Sequence, residues 1–424
     1  MRRLKATLAA TATLLSLALP AWADEPVTLT FYHPQLPWIG SVIESFNATH
    51  TGVVIEDQAP AENYSAGDQN VIRGLMTNSA PDVYLASYSG VPSLASILED
   101  RGLDVSLSGF MEEEGEAWVE QNYADAILSL ARVGDEQYAM PFTASLPIVY
   151  VNKEMIEAAG GSVDDFPTTW DGVIELAQKV NQLGDGSIGL SFSVGGLSDD
   201  WFWQMLVMAS GNSMLNAEAT GIGFDNAAGM EALRITQDMA VKTDMTVYAT
   251  PTPATQQFLA GKVGMVVESP SEIVGYGKAI GDRFTMRTVK FPLIDAENGG
   301  LPAGGAALMM LAQDEKKQAA AWEFMKYMTS GETQANVSRA SGYMPTNKQT
   351  AEVLKDFYAE NPNFLTAFSE MDAARPWFAY PDNTADDVWK GVAPVLDQLQ
   401  RGKISPQEAM TMVRDHVTSV MANK

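Results

Sequence analysis

Residues 320–346 read AAWEFMKYMTSGETQANVSRASGYMPT: an amphipathic helix, a second short helix and a Gly-Tyr-x-Pro loop, in that order. Trp322, Met325 and Met328 recur at helical spacing and Phe324 widens their apolar face, while Glu323 and Lys326 lie toward solvent. That pattern predicts a buried helix, expected in the second of two lobes. The continuation is more specific. Ser341, Gly342 and Tyr343 lead into Met344-Pro345-Thr346, a turn that Gly permits and Pro stiffens.

Working outward, Val27–Tyr32 reads as a buried strand, followed by a loop over His33–Pro37 and a helix from Trp38 to Thr49. Val53–Glu56 is a second strand, Tyr64–Asn78 a second helix and Asp82–Ala86 a third strand. This βαβαβ order predicts a mostly parallel, twisted sheet. Tyr138–Pro141 and Ile148–Asn152 are expected strands flanking a loop, Phe142–Pro147, that is a candidate hinge. A helix starts after Pro167 with Thr168 as cap and Asp171 three residues on, and buries Val173, Ile174, Ala177 and Val180. Asp199–Ala209 and Ala227–Val241 read as further helices, and Phe258–Met265 as helix end, Gly turn and strand. After strands at Phe284–Pro292 and Gly305–Ala312 the chain is almost wholly helical, and Ser405-Pro406-Gln407-Glu408 opens the last helix with a capping box.

With no internal repeat and no long linker, two lobes must be interleaved rather than strung in series. The expected division puts residues 24–141 and 266–312 in lobe 1, and 142–265 and 313–424 in lobe 2. The fold class is α/β: two interleaved lobes with a hinge and a cleft, the C-terminal third mostly helical. The hydrophobic fraction of 46% suffices to fill two cores.

Residues 1–23 have the three parts of a secretory signal: Arg2, Arg3 and Lys5, an apolar run through Leu19, and Ala21-Trp22-Ala23 before Asp24. Cleavage is expected after Ala23, and a periplasmic location follows. No later segment approaches the roughly 20 continuous apolar residues of a spanning helix. The chain has no cysteine, hence neither a disulfide nor a lipid-attachment site. Loss of the signal leaves 24 basic residues against 53 acidic ones, a net charge of −29. Such a surface repels nucleic acid and anionic membranes.

Taken together, these segments resemble the family 1 extracellular solute-binding proteins of ABC importers, the group that includes maltose and glycerol-3-phosphate receptors. The resemblance runs nearly end to end. It is carried by Asn78-Ser79-Ala80-Pro81-Asp82-Val83, by QYAMPFTASLPIVY over 137–150 with Asn152-Lys153, by Pro167–Trp170, Phe258–Met265 and Gly304-Gly305-Ala306, and by the opening stretch. It implies a periplasmic-binding-protein fold of type II, a hinge of crossing strands, and a cleft that closes on one small solute. It further implies a monomer without a cofactor, whose closed form is read by permease subunits in the membrane.

In the glycerol-3-phosphate type, ligand-contacting positions correspond to Tyr64, Ser145, Ser269, Gly305 and Tyr343, and an aromatic platform to Trp201. An acidic contact of that type is replaced by Tyr88. Its late arginine is missing where Phe378–Asp382 stands, and Arg375 is out of register. A phosphate needs a cation or a helix N-terminus in place of its water, so these residues favour a neutral, hydroxyl-rich ligand over a phosphate ester.

A sugar presents an apolar C–H face and a rim of hydroxyls, which calls for flat aromatic walls and a ring of polar partners. Trp201, Trp203, Trp377 and Tyr343 are candidate walls. His33, Gln35, Asn63, Ser145, Asp200, Glu268, Ser269 and Asp382 are candidates for the ring, with Gly304 and Gly305 at the backbone. The only histidines are His33, His50 and His416, and they lack metal-ligand spacing, so no metal is expected. Nucleophile-elbow, phosphate-loop and dinucleotide motifs are absent too. A glycerol-3-phosphate or phosphodiester receptor remains the alternative. A secreted glycoside hydrolase also stays open, because its carboxylate pair has no readable motif.

Overall fold

The protein is described from a computed structural model over residues 25–423, apart from 197, 198, 251, 382 and 383. The strands expected at the start form as β1 (Val27–Tyr32), β2 (Val53–Asp57) and β3 (Val83–Ser87). A two-residue hairpin, β4 (Arg132–Val133) and β5 (Glu136–Gln137), precedes β6 (Ala139–Ser145) and β7 (Ile148–Asn152). Then come β8 (Ile188–Ser191), β9 (Val263–Glu268), β10 (Met286–Lys290) and β11 (Leu301–Met310). Two short strands follow, β12 (Met344–Pro345) and β13 (Ala374–Pro376).

These strands make two main sheets. The first has the order β12-β6-β11-β3-β1-β2, with β13 added in parallel to the start of β11. The second has the order β10-β7-β9-β8. Helices between strands are capped by local side chains: Asn63 accepts from Ala66 N–H, Asn226 from Gly229 N–H, and Ser405 and Glu408 close the expected capping box. At residue 170 the cap is Thr169, whose hydroxyl accepts from Gly172 N–H, one position later than expected. The pattern of two covered sheets joined by crossing segments is the α/β, two-lobed fold anticipated from the sequence.

Three expectations change. Phe142–Ser145 continues β6 instead of forming a loop, because Thr143, Ala144 and Ser145 find partners on β11 past a register shift at Phe142, which leaves residues 146 and 147 as the crossing. The lobe boundaries shift as well. β10, assigned above to lobe 1, pairs with β7 in the second sheet, and the chain returns to the first sheet only at β11. Finally, the helix Glu315–Met328 belongs to the first lobe, not the second. Phe324 sits edge-on to Phe31 and Phe46 at 5.2 and 5.0 Å between centroids. Trp322 packs on Phe110 and Trp118 and donates its Nε1–H to Glu114 Oε1 at 3.0 Å. Lys326 pairs with the same carboxylate. Periodicity identifies a buried face but carries no information about which core receives it.

Phe324 is fully buried. Phe324→Ala should lower the stability of the protein by about 3–5 kcal/mol through lost burial and the cavity left behind. Urea unfolding measures this, and a loss below about 1 kcal/mol would contradict the packing described.

Candidate functional site

The site is built where β6, β9 and β11 meet. Gly304 pairs with Ser145 across the first sheet. The Ser145 hydroxyl is 2.8 Å from that of Ser269, the residue after β9, and Ser269 Oγ is 2.8 Å from Ser271 Oγ. Tyr150 donates its hydroxyl to the Ser269 carbonyl at 2.6 Å, and Ser269 N–H donates to Glu268 Oε1 at 2.9 Å. A polar relay therefore joins the two sheets at the crossing. Neither Ser271 nor Tyr150 was singled out from sequence; their relation to Ser269 depends on strand pairing.

Trp201 opens the helix Trp201–Ala209, and its ring lies over the start of β11. Its Nε1–H donates to the Pro302 carbonyl at 2.9 Å, and a Cβ on Gly304 would stand 3.3 Å from the indole. Trp377 is 6.1 Å away between centroids and donates to Asp200 Oδ1 at 3.2 Å. Gln204, one turn along the helix, donates to Asp200 Oδ2 at 2.9 Å and brackets the Phe378 backbone with two hydrogen bonds. The i, i+4 spacing of Asp200 and Gln204 is a signal that sequence reading could have used.

On the first lobe, Tyr64, Tyr88 and Tyr343 form a phenolic wall. The Tyr88 hydroxyl is buried without a hydrogen-bond partner, Tyr88 being 2% exposed, and the buried Tyr64 hydroxyl meets that of Tyr343. Burial, then Tyr343 and Tyr88, raise the Tyr64 phenol well above its ordinary range. Tyr343 is raised by burial and by Glu272 and Glu268, with Ser271 acting against it. Trp377 also lines a wider cavity of about 580 Å³, bounded by Pro92, Met208, Met214, Asn298 and Arg375. That volume lies within the range of small-molecule sites.

Of the residues expected in the site, Tyr64, Tyr88, Ser145, Asp200, Trp201, Glu268, Ser269, Gly304, Gly305, Tyr343 and Trp377 are thus linked through contacts, hydrogen bonds or charge. Four take structural duties elsewhere. His33 is buried, its ring nitrogens held by the Pro34 carbonyl at 2.6 Å and Asp57 at 2.8 Å. Gln35 is exposed and only its backbone is bonded, to Ala61. Asn63 is a helix cap. Trp203 is core, edge-on to Phe224 at 5.5 Å, because two residues along a helix turn it away from Trp201. Asp382 lies outside the described residues, as does the expected signal segment.

Burial sets the electrostatics. Glu268 is pushed up from 4.5 to about 7, by burial first and then by Glu272 and Asp199, against the Ser269 N–H. Asp200 rises from 3.8 to about 6, again by burial, against Gln204 and Trp377. The unfolded chain ionises these groups at their ordinary values, so the folded state holds more protons between the two values and loses stability as pH rises through that window. For Glu268 the loss is about 3 kcal/mol, complete above pH of about 7. Glu268→Gln should accordingly gain stability over the parent protein by a margin that grows by about 3 kcal/mol between pH 4.5 and 7.5. Urea unfolding across that range reads the margin, and a constant difference would show that Glu268 ionises freely.

Known proteins match this architecture along nearly the whole chain. The sn-glycerol-3-phosphate-binding periplasmic protein UgpB of Pectobacterium atrosepticum is 23% identical over 419 residues, covering 92% of this chain and 90% of the relative. UgpB from Mycobacterium tuberculosis, solved with glycerophosphocholine, superposes with a TM-score of 0.79 at 18% identity, over 94% of this chain and 98% of that one. The GacH receptor of Streptomyces glaucescens, solved unliganded and with acarbose, gives 0.77 at 20% identity, over 94% and 99%. The family model described as bacterial extracellular solute-binding protein matches residues 41–366. With a two-lobed fold, a site at the crossing and that match over most of its length, the chain belongs to the bacterial extracellular solute-binding proteins.

Proposed function

We propose that this protein is the periplasmic receptor of an ABC importer, and that it captures a small hydroxyl-rich solute between its lobes. The observation that carries this reading is the buried, unpartnered phenol of Tyr88, next to Tyr64 and beside a polar relay that joins both lobes. A buried hydroxyl without a partner costs about 1–3 kcal/mol, which a ligand hydroxyl placed between the lobes would recover. Trp201 and Trp377 supply apolar faces for a sugar ring, and Asp200, Glu268, Ser145 and Ser269 supply its polar partners. Residues 1–23 act as the export signal, cleaved after Ala23, and the mature protein works as a monomer without cofactor or turnover. Contacts made by both lobes favour the closed arrangement, which the permease recognises.

A phosphodiester ligand is the second reading. Arg375 favours it: out of register in sequence, it nonetheless lines the wide cavity together with Trp377. Relatives and neighbours that bind glycerol 3-phosphate, glycerophosphocholine and acarbose support one solute class or the other.

Thermal unfolding against sugars, polyols and glycerophosphodiesters tests both. One class should raise Tm in proportion to RT ln(1 + [L]/Kd), and turnover of a glycoside would overturn the receptor reading. Tyr88→Phe provides a sharper check. Removing an unpartnered hydroxyl should leave the ligand-free protein as stable or about 1 kcal/mol more so, and should weaken ligand binding about tenfold. Loss of ligand-free stability with unchanged affinity would make Tyr88 a structural residue.

A further inference from the structure

We infer that the solute carries a primary ammonium group, received by the Glu268 carboxylate and the Ser191 hydroxyl in a small chamber beside the cleft. This rests on the reading of the interlobe crossing as the solute site, and it narrows the class of solute.

The chamber has a volume of about 20 Å³ and is bounded by Glu268, Ser191, Thr255, Tyr276 and Phe202. That is room for one water-sized group. Ser191 is 5% exposed, and its hydroxyl has no partner. Such an atom, buried beside a carboxyl group, awaits a small polar occupant.

Charge decides which occupant. Four carboxyl side chains, Asp199, Asp200, Glu268 and Glu272, gather on the second-lobe side of the site, and Glu268 feels burial and the repulsion of Glu272 and Asp199, opposed only by the Ser269 N–H. The hydrogen-bond partners of these carboxyls are neutral: Trp201 N–H for Asp199, Gln204 and Trp377 for Asp200, and Ser269 N–H for Glu268. Among the described residues none of the four is paired with a lysine, arginine or histidine. Arg375 is already donating to the Asp372 and Ala374 carbonyls. The other titratable groups that act with Glu268 are the phenols Tyr150, Tyr276 and Tyr343, which bring no positive charge.

A neutral hydroxyl would satisfy Ser191 and leave the carboxyls without a counter-charge. A trimethylammonium head exceeds a water-sized chamber. A primary ammonium fits the space, donates to Glu268 and to the Ser191 oxygen, and lets Glu268 ionise.

Isothermal titration of the mature protein with matched pairs tests this: glucosamine against glucose, galactosamine against galactose, and glycerophosphoethanolamine against glycerophosphoglycerol. In at least one pair the amine should bind at least tenfold more tightly at pH 7.0, with the preference reduced severalfold at pH 5.5. Glu268→Gln should abolish the preference, and Ser191→Ala, a milder change, should reduce it; unfolding curves establish that each variant is folded. If neutral members bind as tightly as their amines, or if folded Glu268→Gln keeps the preference, the ammonium inference falls while the solute site stands. If no member of any pair binds, both fall.

Discussion

The site depends on two missing side chains in one strand. β11 lies between β3 and β6, and at Gly305 its backbone adopts φ +114°, where a Cβ would stand 2.2 Å from the Thr143 carbonyl oxygen. Only glycine tolerates both the conformation and the approach. At the neighbouring Gly304 the vacated space admits the Trp201 indole from the second lobe. Close pairing of β11 with β6 then sets Ser145 opposite Gly304, from where its hydroxyl reaches Ser269. A side chain at Gly305 would push β11 off β6, and one at Gly304 would crowd the Trp201 indole.

Around that contact the protein keeps polar groups under poor solvation. The Tyr88 phenol stands without a partner, and carboxyls are held back from ionising because burial removes their water and neighbouring acids add repulsion. Each feature lowers the stability of the empty protein. Each also creates a difference in free energy between empty and occupied cleft, and such a difference is what allows a solute to shift the balance between lobe arrangements. The cores on either side are ordinary by contrast, with Phe324 against Phe31 in one and Trp170 stacked on Phe192 at 5.9 Å in the other. Well-packed cores on either side of a poorly solvated crossing would let two lobes move as bodies about it.

Legibility in sequence followed the range of the interaction. The βαβαβ start, the helix Ala227–Val241 and the capping box at Ser405 depend on residues within a turn or two, and they form where they were read. Tyr64, Ser145, Ser269 and Tyr343 are candidates through resemblance alone, since nothing local distinguishes a serine at a strand end from one on a surface. His33, Asn63 and Trp203 hold local structure, for the same reason: a histidine near a strand end, an asparagine before a helix and a tryptophan within one serve structure as readily as binding. Ser271, Gln204 and Ser191 were passed over because their importance comes from partners or cavities made by distant segments.

The sequence by itself determined the α/β class, the two-lobed, interleaved plan and most helix and strand positions, because periodicity, caps and glycine turns act locally. Tertiary structure alone decided which lobe receives the Trp322 helix, where β6 ends, and which polar groups remain without partners. Those outcomes depend on packing between segments far apart in the chain, where an amphipathic face specifies burial but not its neighbour. The charge balance of the site belongs partly to the same class, since the pKa of Glu268 is set by burial and by Asp199, which only the fold brings to it, as well as by its chain neighbours Ser269 and Glu272.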